Sequence, residues 1–179
     1  MEELFEQLKK ENRIIEELVV QCNEFSAFHP QSVNTIRVLT SNLDNDIKVY
    51  AAFLRIGSNG SLIDNLSISG LCAPIDVENG EIVTDALNFV GKKIPFHPNT
   101  NIKFKGFKIP KWNEIVNTAV ETAKQTPGLK IIGFDFAINS NNEIVIIEAN
   151  DKPGILGQQM GKTYGSKDLF NKITGGKIK

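Results

Sequence analysis

The sequence predicts an α+β fold with a mainly antiparallel sheet and flanking helices, and three observations lead to this prediction. Strand-like runs occur in pairs that are separated by short turns rich in Asn, Asp and Gly, as antiparallel hairpins require. One segment, residues 112–126, has the apolar spacing of an amphipathic helix. Pro127 and Gly128 stop that helix, and another strand-like run follows directly.

Length and composition fit a single domain over residues 1–179 with its own core. The hydrophobic fraction is 41% and the formal net charge is −1. A nearly neutral chain without a long run of one sign does not favour a nucleic-acid surface. It has no signal peptide, membrane-spanning run or lipidation signal, so we expect a cytoplasmic protein without a membrane partner. Cys22 and Cys72 lack a metal spacing and are expected to be buried free thiols.

The expected elements begin with a charged helix over residues 2–13 and an apolar hinge strand over about 14–20. Two strands follow at 33–40 and 47–56, with a turn over 41–46 between them. The later elements are a loop over 63–69, a strand over 71–77, a short strand at 82–83, a basic loop over 91–111, the helix over 112–126, a hairpin and a short helix near 167–173.

The hairpin is the most informative segment. Its two alternating runs, residues 133–138 and 146–150, are joined by a short polar stretch. If the turn has two residues, Asn141 and Asn142, facing residues have numbers that sum to about 283. Asp135 is then directly opposite Glu148 on the same face of the sheet.

This register brings two carboxylates and an amide oxygen together, because Asn150 would face Gly133 beside the acidic pair. Like charges directly opposite each other destabilise a sheet unless a cation lies between them. Oxygen ligands of this kind suit Mg²⁺, which uses a few carboxylates plus phosphate oxygens. The pattern therefore predicts a nucleotide-metal site with Asp135, Glu148 and Asn150 as ligands. The alternative is an ordinary hairpin whose acids face solvent.

Apolar residues on both expected faces of the hairpin favour the metal site. The acidic face is expected to carry Ile131, Ala137, Ile144 and Ile146. The opposite face is expected to carry Ile132, Phe134, Phe136, Ile138, Val145 and Ile147. Strands that are apolar on both faces are buried, and buried acids need a partner.

Two arginines are flanked by apolar strand residues. Arg37 lies within the first strand of the 33–56 pair, and Arg55 lies near the end of the second. A guanidinium in such a place can bind phosphate, whereas a surface arginine or a structural ion pair is the alternative. The predicted magnesium site favours the phosphate role, since phosphoryl transfer needs several cations around the transferred group.

Residues in the predicted loops give weaker evidence of a functional role. The polar loop over residues 64–70 could supply amide and backbone donors to a phosphate, or could be a simple turn. His29 and His97 both precede Pro and have no nucleophile nearby in the sequence, so a loop-anchoring role is favoured over acid–base catalysis.

In their order and spacing these motifs resemble the C-terminal half of ATP-grasp ligases, in particular the sugar-transfer associated ATP-grasp proteins and the alpha-L-glutamate ligase-related proteins. The likeness covers about residues 14–154. It is carried by Asn-Thr-Ile-Arg37, a strand ending at Arg55, Asp-Asn65 with Ser69-Gly70, Gly-Phe-Asp135, and Glu148-Ala-Asn150 before Pro153-Gly154.

The resemblance implies an ATP-dependent carboxylate–amine ligase, or a related ligase, that uses ATP and Mg²⁺. ATP phosphorylates a carboxylate, and an amine or similar nucleophile attacks the acyl phosphate. The substrate would be a small carboxylate or a sugar-linked compound, as in the modification of cell-surface polysaccharides or peptides.

The resemblance also implies a role for each candidate site residue. The metal ligands are again Asp135, Glu148 and Asn150. The residues expected at the γ-phosphate and the acyl phosphate are Arg37, Arg55 and Asn65. The hinge residues expected to contact adenine and ribose are Glu16, Glu17, Leu18 and Val19.

Three departures from the family pattern matter. Phe134 stands where the family usually has Trp before the metal Asp, and Ser69 replaces the first Gly of a Gly-Gly pair. The N-terminal subdomain, which supplies lysines and a glycine-rich loop, is expected to be absent. A non-catalytic remnant that binds a nucleotide or partner, or a half-enzyme completed by another polypeptide, is therefore the alternative. A homodimer is also an expectation.

Overall fold

A computed structural model of the chain describes residues 2–11, 17–66, 69–154 and 171. These residues form one antiparallel sheet with flanking helices, which confirms the predicted α+β class. The helices are α1 (Glu2–Lys10), α2 (Asn23–Phe28) and α3 (Trp112–Lys124). The strands are β1 (Thr35–Leu43), β2 (Asp46–Ile56), β3 (Leu71–Ile75), β4 (Ala86–Leu87), β5 (Lys93–Ile94), β6 (Ile131–Ile138) and β7 (Ile144–Asn150).

The sheet has the strand order β5-β4-β3-β2-β1-β6-β7, so β1 lies between β2 and β6. No helix in the described part of the chain is long and apolar enough to cross a membrane. Asn171 is helical, and the rest of the short helix predicted near 167–173 lies outside the described residues. The predicted thiols Cys22 and Cys72 are both free and buried, as expected.

The turn between β1 and β2 is shorter than predicted. The strands continue to Leu43 and resume at Asp46, which are paired, so only Asp44 and Asn45 form the turn. Their φ angles are 54° and 65°. Asn and Asp tolerate this left-handed conformation, which two-residue hairpin turns require at both positions. The six-residue turn predicted over 41–46 is therefore wrong.

The loop of the β6–β7 hairpin also differs from the prediction. Ile138 pairs with Ile144, and the backbone N–H of Asn139 donates to the carbonyl of Glu143 at 2.9 Å. Three residues therefore form the loop instead of two. The last of them, Asn142, has a φ of 62°, as is common in three-residue hairpin loops. Pairs beside the loop are consequently shifted by one residue from the predicted register.

A β-bulge restores the predicted pairing at the other end of this hairpin. Glu148 lies opposite Asp135, as predicted, but Ile146 lies opposite Phe136. Ile147 is thus the additional residue of β7, and it absorbs the shift that the longer loop introduces. The acidic pair forms although the turn expected to produce it does not.

The bulge changes which side chains share the acidic face of the sheet. Val145 is paired with Ala137 and lies on that face, whereas Ile146 is paired with Phe136 on the opposite face. Ile144 also lies opposite to the predicted side and packs against the main core. The predicted faces of these three β7 residues are wrong, because a one-residue insertion inverts the alternation of a strand.

The main core lies on the face of the sheet opposite the acids. Helix α3 begins at Trp112 as predicted and buries the apolar stripe Trp112, Ile115, Ala119 and Ala123. The short helix α2 adds Phe28, whose ring centroid lies 5.3 Å from that of Phe104 and 4.9 Å from that of Phe107. Aromatic packing of this kind joins the loop before α3 to α2.

The hinge segment runs beside the end of β6. The backbone N–H of Ser140 donates to the carbonyl of Val20 at 2.7 Å, and that of Cys22 donates to the carbonyl of Ile138 at 2.8 Å. Gln21 bridges to Asn139. Residues 14–16 of the predicted hinge, and residues 12 and 13 of the predicted first helix, lie outside the described residues.

Two glycines with nearly the same φ angle allow the packing of α3 to be tested by substitution. Gly80 has a φ of 75°, and a Cβ there would lie 2.4 Å from Cγ of Trp112. Gly91 has a φ of 79°, and its Cβ would have nothing within 4 Å. We expect Gly91→Ala to cost about 1 kcal/mol through backbone strain. Gly80→Ala should cost about 3 kcal/mol, because overpacking is added.

Urea unfolding of the two variants measures this difference in the free energy of unfolding. Equal losses would show that Trp112 moves away without cost and that the indole does not hold α3 in place. Retention of the hydrogen bond from Trp112 Nε1 to the carbonyl of Val77, 3.1 Å in length, would be checked by the fluorescence of this single Trp.

Candidate functional site

Three neighbouring strands place the predicted charged residues on one face of the sheet. Arg37 on β1 lies opposite Asp135 on β6, and Thr35 on β1 lies opposite Arg55 on β2. Residues two apart on a strand share a face. The central position of β1 therefore brings side chains from three strands to one place.

Asp135 accepts hydrogen bonds from both predicted arginines. Nε and Nη2 of Arg37 donate to the two carboxylate oxygens in a bidentate arrangement. Nη1 of Arg55 donates to Oδ2 of Asp135 at 2.8 Å. The side chain of Asp135 is only 3% exposed. Its buried charge is therefore balanced by two guanidinium groups.

Asp64 is a fourth member of this group, and no site role was predicted for it. Nη2 of Arg55 donates to Oδ1 of Asp64 at 3.1 Å. The backbone N–H of Thr35 donates to Oδ2 of Asp64 at 3.2 Å, and the Thr35 hydroxyl donates to the same oxygen. The family resemblance gave a role to its neighbour Asn65 and none to Asp64. We call Arg37, Arg55, Asp64 and Asp135 the acid–arginine cluster.

Burial and charge pairing act in opposite directions on the pKa values of the cluster. Burial alone would lower the pKa of Arg37, but hydrogen bonding and charge attraction from Asp135 raise it above its ordinary value. Burial raises the pKa of Asp64, while Arg55 and Thr35 oppose that rise. Two cations and two anions leave the cluster close to neutral, so it can be buried.

Glu148 and Asn150 border the cluster on β7. Glu148 lies opposite Asp135 and Asn150 lies opposite Gly133, as predicted. The side-chain amide of Asn150 donates to Oε1 of Glu148. Glu148 is exposed, in contrast to the buried acid across from it. The two facing acids therefore differ, since one is held by arginines and the other is accessible.

The segment after β7 folds back over Gly133. A Cβ at this position would lie 2.7 Å from Cβ of Pro153 and 3.1 Å from Cδ2 of Leu39. The same Cβ would lie 3.5 Å from Cδ of Arg37. Glycine is required here because the Pro153 ring takes the space that a side chain would fill. The motif residues Pro153 and Gly133 thus close one side of the cluster.

The chemistry of these oxygen donors fits a magnesium ion. In the described residues no three His, Cys, Asp or Glu side chains form a metal-binding group. A magnesium site needs fewer than three such side chains, since Mg²⁺ takes one or two carboxylates together with substrate phosphate oxygens and water. Glu148 and Asn150 carry suitable oxygens at the surface. Asp135 already accepts three hydrogen bonds from the arginines, so a metal there would compete with them for its oxygens.

A cleft of about 550 Å³ lies between the hinge segment, the loop after β2 and β7. Its walls include the predicted hinge residues Glu17, Leu18 and Val19. Glu16 lies outside the described residues. Further apolar lining comes from Val33, Leu62, Ile63, Val145, Ile146 and Ile147. Two more of the described lining residues, Thr35 and Asp64, connect the cleft directly to the acid–arginine cluster.

The loop that carries Asp64 and Asn65 is anchored by two buried histidines, as predicted for His29 and His97. The Nε2–H of His29 donates to the carbonyl of Ser61 at 2.7 Å. The Nε2–H of His97 donates to the carbonyl of Gly57 at 2.9 Å. A carbonyl only accepts hydrogen bonds, so both rings carry their proton on Nε2. Asn65 itself is exposed beside Asp64.

Comparison with known proteins identifies the family. The family described as sugar-transfer associated ATP-grasp matches residues 4–175. The chain belongs to this family. Membership implies an ATP-dependent, ligase-like function with binding of ATP and a carboxylate substrate. The comparison with curated proteins finds no match.

Within this ATP-grasp chain the two facing acids should contribute unequally to stability. Asp135→Asn removes the charge that balances two buried arginines, so we expect the free energy of unfolding to fall by about 3 kcal/mol. The matched change Glu148→Gln on the facing strand should alter it by less than about 0.5 kcal/mol. Chemical denaturation at neutral pH measures both. A small loss for Asp135→Asn would show that Asp64 alone suffices to balance the arginines.

Proposed function

We propose that this chain provides the catalytic site of an ATP-dependent carboxylate ligase that works through an acyl phosphate. The observation that supports the proposal best is the continuity between the cleft and the acid–arginine cluster. Asp64 belongs to both, and Thr35, which also lines the cleft, donates hydrogen bonds to Asp64. A nucleotide whose base and sugar lie in the cleft would therefore have its phosphates beside two guanidinium groups and the exposed Glu148.

The cleft suits the base and sugar of a nucleotide. Leu18 and Leu62 are 81% and 77% exposed, and Ile147 is 44% exposed, so an apolar surface is available for contact with a flat ring. Sites for small molecules combine such an apolar lining with a few polar groups. The backbone of the hinge, at residues 17–19, would supply those groups to adenine, and the carboxylate of Glu17 would supply one to ribose.

Magnesium would be held by Glu148 and Asn150, with Asp135 as a further ligand. Bound there, it would neutralise part of the charge on the phosphates. Glu148 and Asn150 can accept this role without a change in the core, because Glu148 is exposed and Asn150 half-buried. At Asp135 the metal would compete with the arginines for the carboxylate oxygens.

The arginines would stabilise the charge on the transferred phosphoryl group and then on the acyl phosphate. A planar guanidinium binds phosphate oxygens with two parallel hydrogen bonds, as Arg37 now binds Asp135. Asn65 lies next to Asp64 on the same loop and would add an amide donor at the same end. Groups that are already in place cost little reorganisation during the reaction.

The acyl acceptor is an amine or a similar nucleophile, and the acid is a small or sugar-linked carboxylate. The family description, sugar-transfer associated, favours a role in the modification of cell-surface polysaccharides or peptides. A cytoplasmic location would supply ATP and Mg²⁺ for such a reaction.

Calorimetric titration of the full chain with ADP tests the nucleotide and metal assignments together. We expect binding that is strengthened at least tenfold by Mg²⁺, since the metal links phosphates to carboxylate. Glu148→Ala should abolish this magnesium effect and leave magnesium-free binding unchanged. The matched control is Glu143→Ala, an exposed acid on the same hairpin, which should retain the full effect.

Two results would contradict the proposal. A magnesium effect that persists in Glu148→Ala would place the metal elsewhere. A folded protein that binds no nucleotide with or without Mg²⁺ would favour a remnant that binds another partner.

A further inference from the structure

We propose that Asp64 is a positioning residue that holds Arg55 in place, while Arg37 is the arginine that moves from Asp135 to the phosphate. The inference rests on the proposed function, since it assumes that a nucleotide phosphate and a metal reach the acid–arginine cluster. It assigns different tasks to two arginines that look equivalent in the sequence.

The two arginines differ in how many carboxylates hold them. Arg55 uses separate nitrogens for separate acids: Nη1 donates to Asp135 at 2.8 Å and Nη2 donates to Asp64 at 3.1 Å. Arg37 donates from Nε and Nη2 to Asp135, which is the only carboxylate it hydrogen-bonds among the described residues. Loss of the Asp135 contacts therefore frees Arg37 but leaves Arg55 with one anchor.

Asp64 is itself well fixed. Its Oδ2 accepts hydrogen bonds from the backbone N–H and the hydroxyl of Thr35, so only Oδ1 is directed to Arg55. Gly70 packs against the same loop, because a Cβ at Gly70 would lie 2.3 Å from the carbonyl oxygen of Asp64. An anchor held by a central strand on one side and by backbone packing on the other can orient a guanidinium.

This arrangement separates a fixed charge from a mobile one. When Asp135 becomes a metal ligand, Arg55 keeps its place through Asp64, and its Nη1 becomes available to a phosphate oxygen. Arg37, which has no second hydrogen-bonded carboxylate among the described residues, is then the arginine that can leave Asp135 and follow the phosphoryl group. A fixed donor costs less to order around the phosphate than a mobile one.

The first test compares affinities for the magnesium complexes of ADP and the β,γ-imido analogue of ATP, measured by calorimetry on the full chain. The ratio of the two affinities reports contacts with the γ-phosphate. We expect Asp64→Asn and Arg55→Lys each to lower this ratio about tenfold, in addition to any loss of affinity that ADP shares. The double variant should lower it no further than the larger single effect, because Asp64 acts through Arg55.

A second test does not depend on nucleotide. Guanidinium signals in nuclear magnetic resonance spectra show whether rotation of an arginine side chain is restricted. In the unmodified protein both arginines should be restricted. In Asp64→Asn the rotation of Arg55, which keeps only its bond to Asp135, should become faster than in the unmodified protein, while the signals of Arg37 stay as they are. Asp64→Glu, which keeps the charge, should partly restore the restriction.

Thr35→Val is a milder change in case Asp64→Asn folds poorly. It removes only the hydroxyl bond to Asp64, and it should lower the affinity ratio less than Asp64→Asn does. Thermal unfolding of every variant verifies that the fold is retained.

The outcomes distinguish the two proposals. If the unmodified protein binds neither nucleotide, the proposed function is wrong, and the resonance experiment alone then decides whether Asp64 anchors Arg55. If nucleotide binds but the single effects multiply in the double variant, Asp64 does not act through Arg55. Unchanged Arg55 signals in Asp64→Asn overturn the anchoring role in either case.

Discussion

The face of the sheet that carries the acid–arginine cluster depends on the neutralisation of buried charge. Asp135 is almost fully buried, and two guanidinium groups donate hydrogen bonds to it, which offsets the cost of its burial. Those groups come from β1 and β2, the two strands next in order after β6. A slip of one residue between these strands would turn an unpaired charge into the core. Charge pairing and strand register therefore enforce each other.

The same interaction connects stability to the proposed chemistry. Arginines held on a buried carboxylate are already oriented when a phosphate arrives, and the energy that orders them is part of folding. The cost is that Asp135 cannot serve a metal and both arginines fully at once. Asp64 resolves this conflict for Arg55, because its own position is fixed by Thr35 on the central strand. The cluster can therefore exchange one contact without losing its arrangement.

Sequence reasoning reached the Asp135–Glu148 pair through a loop of the wrong length. Local polarity shows that a turn is present, but not how many residues it contains, since both two- and three-residue loops accept Asn at left-handed angles. No pattern in the sequence predicts the bulge at Ile147 either. The pair is correct because the additional loop residue and the additional strand residue compensate. Val145 lies between these two residues, so the predicted face of the sheet for its side chain was wrong.

The sequence by itself determined the fold class, the helix that starts at Trp112 and the residue types available for phosphate and metal, because these follow from periodicity, turn chemistry and motif spacing. Only the tertiary structure decided which charges meet. It placed Asp64, 29 residues after Thr35, against that residue and Arg55. Contacts between a loop and a distant strand leave no periodic signal along the chain, so their partners emerge only when the strands assemble.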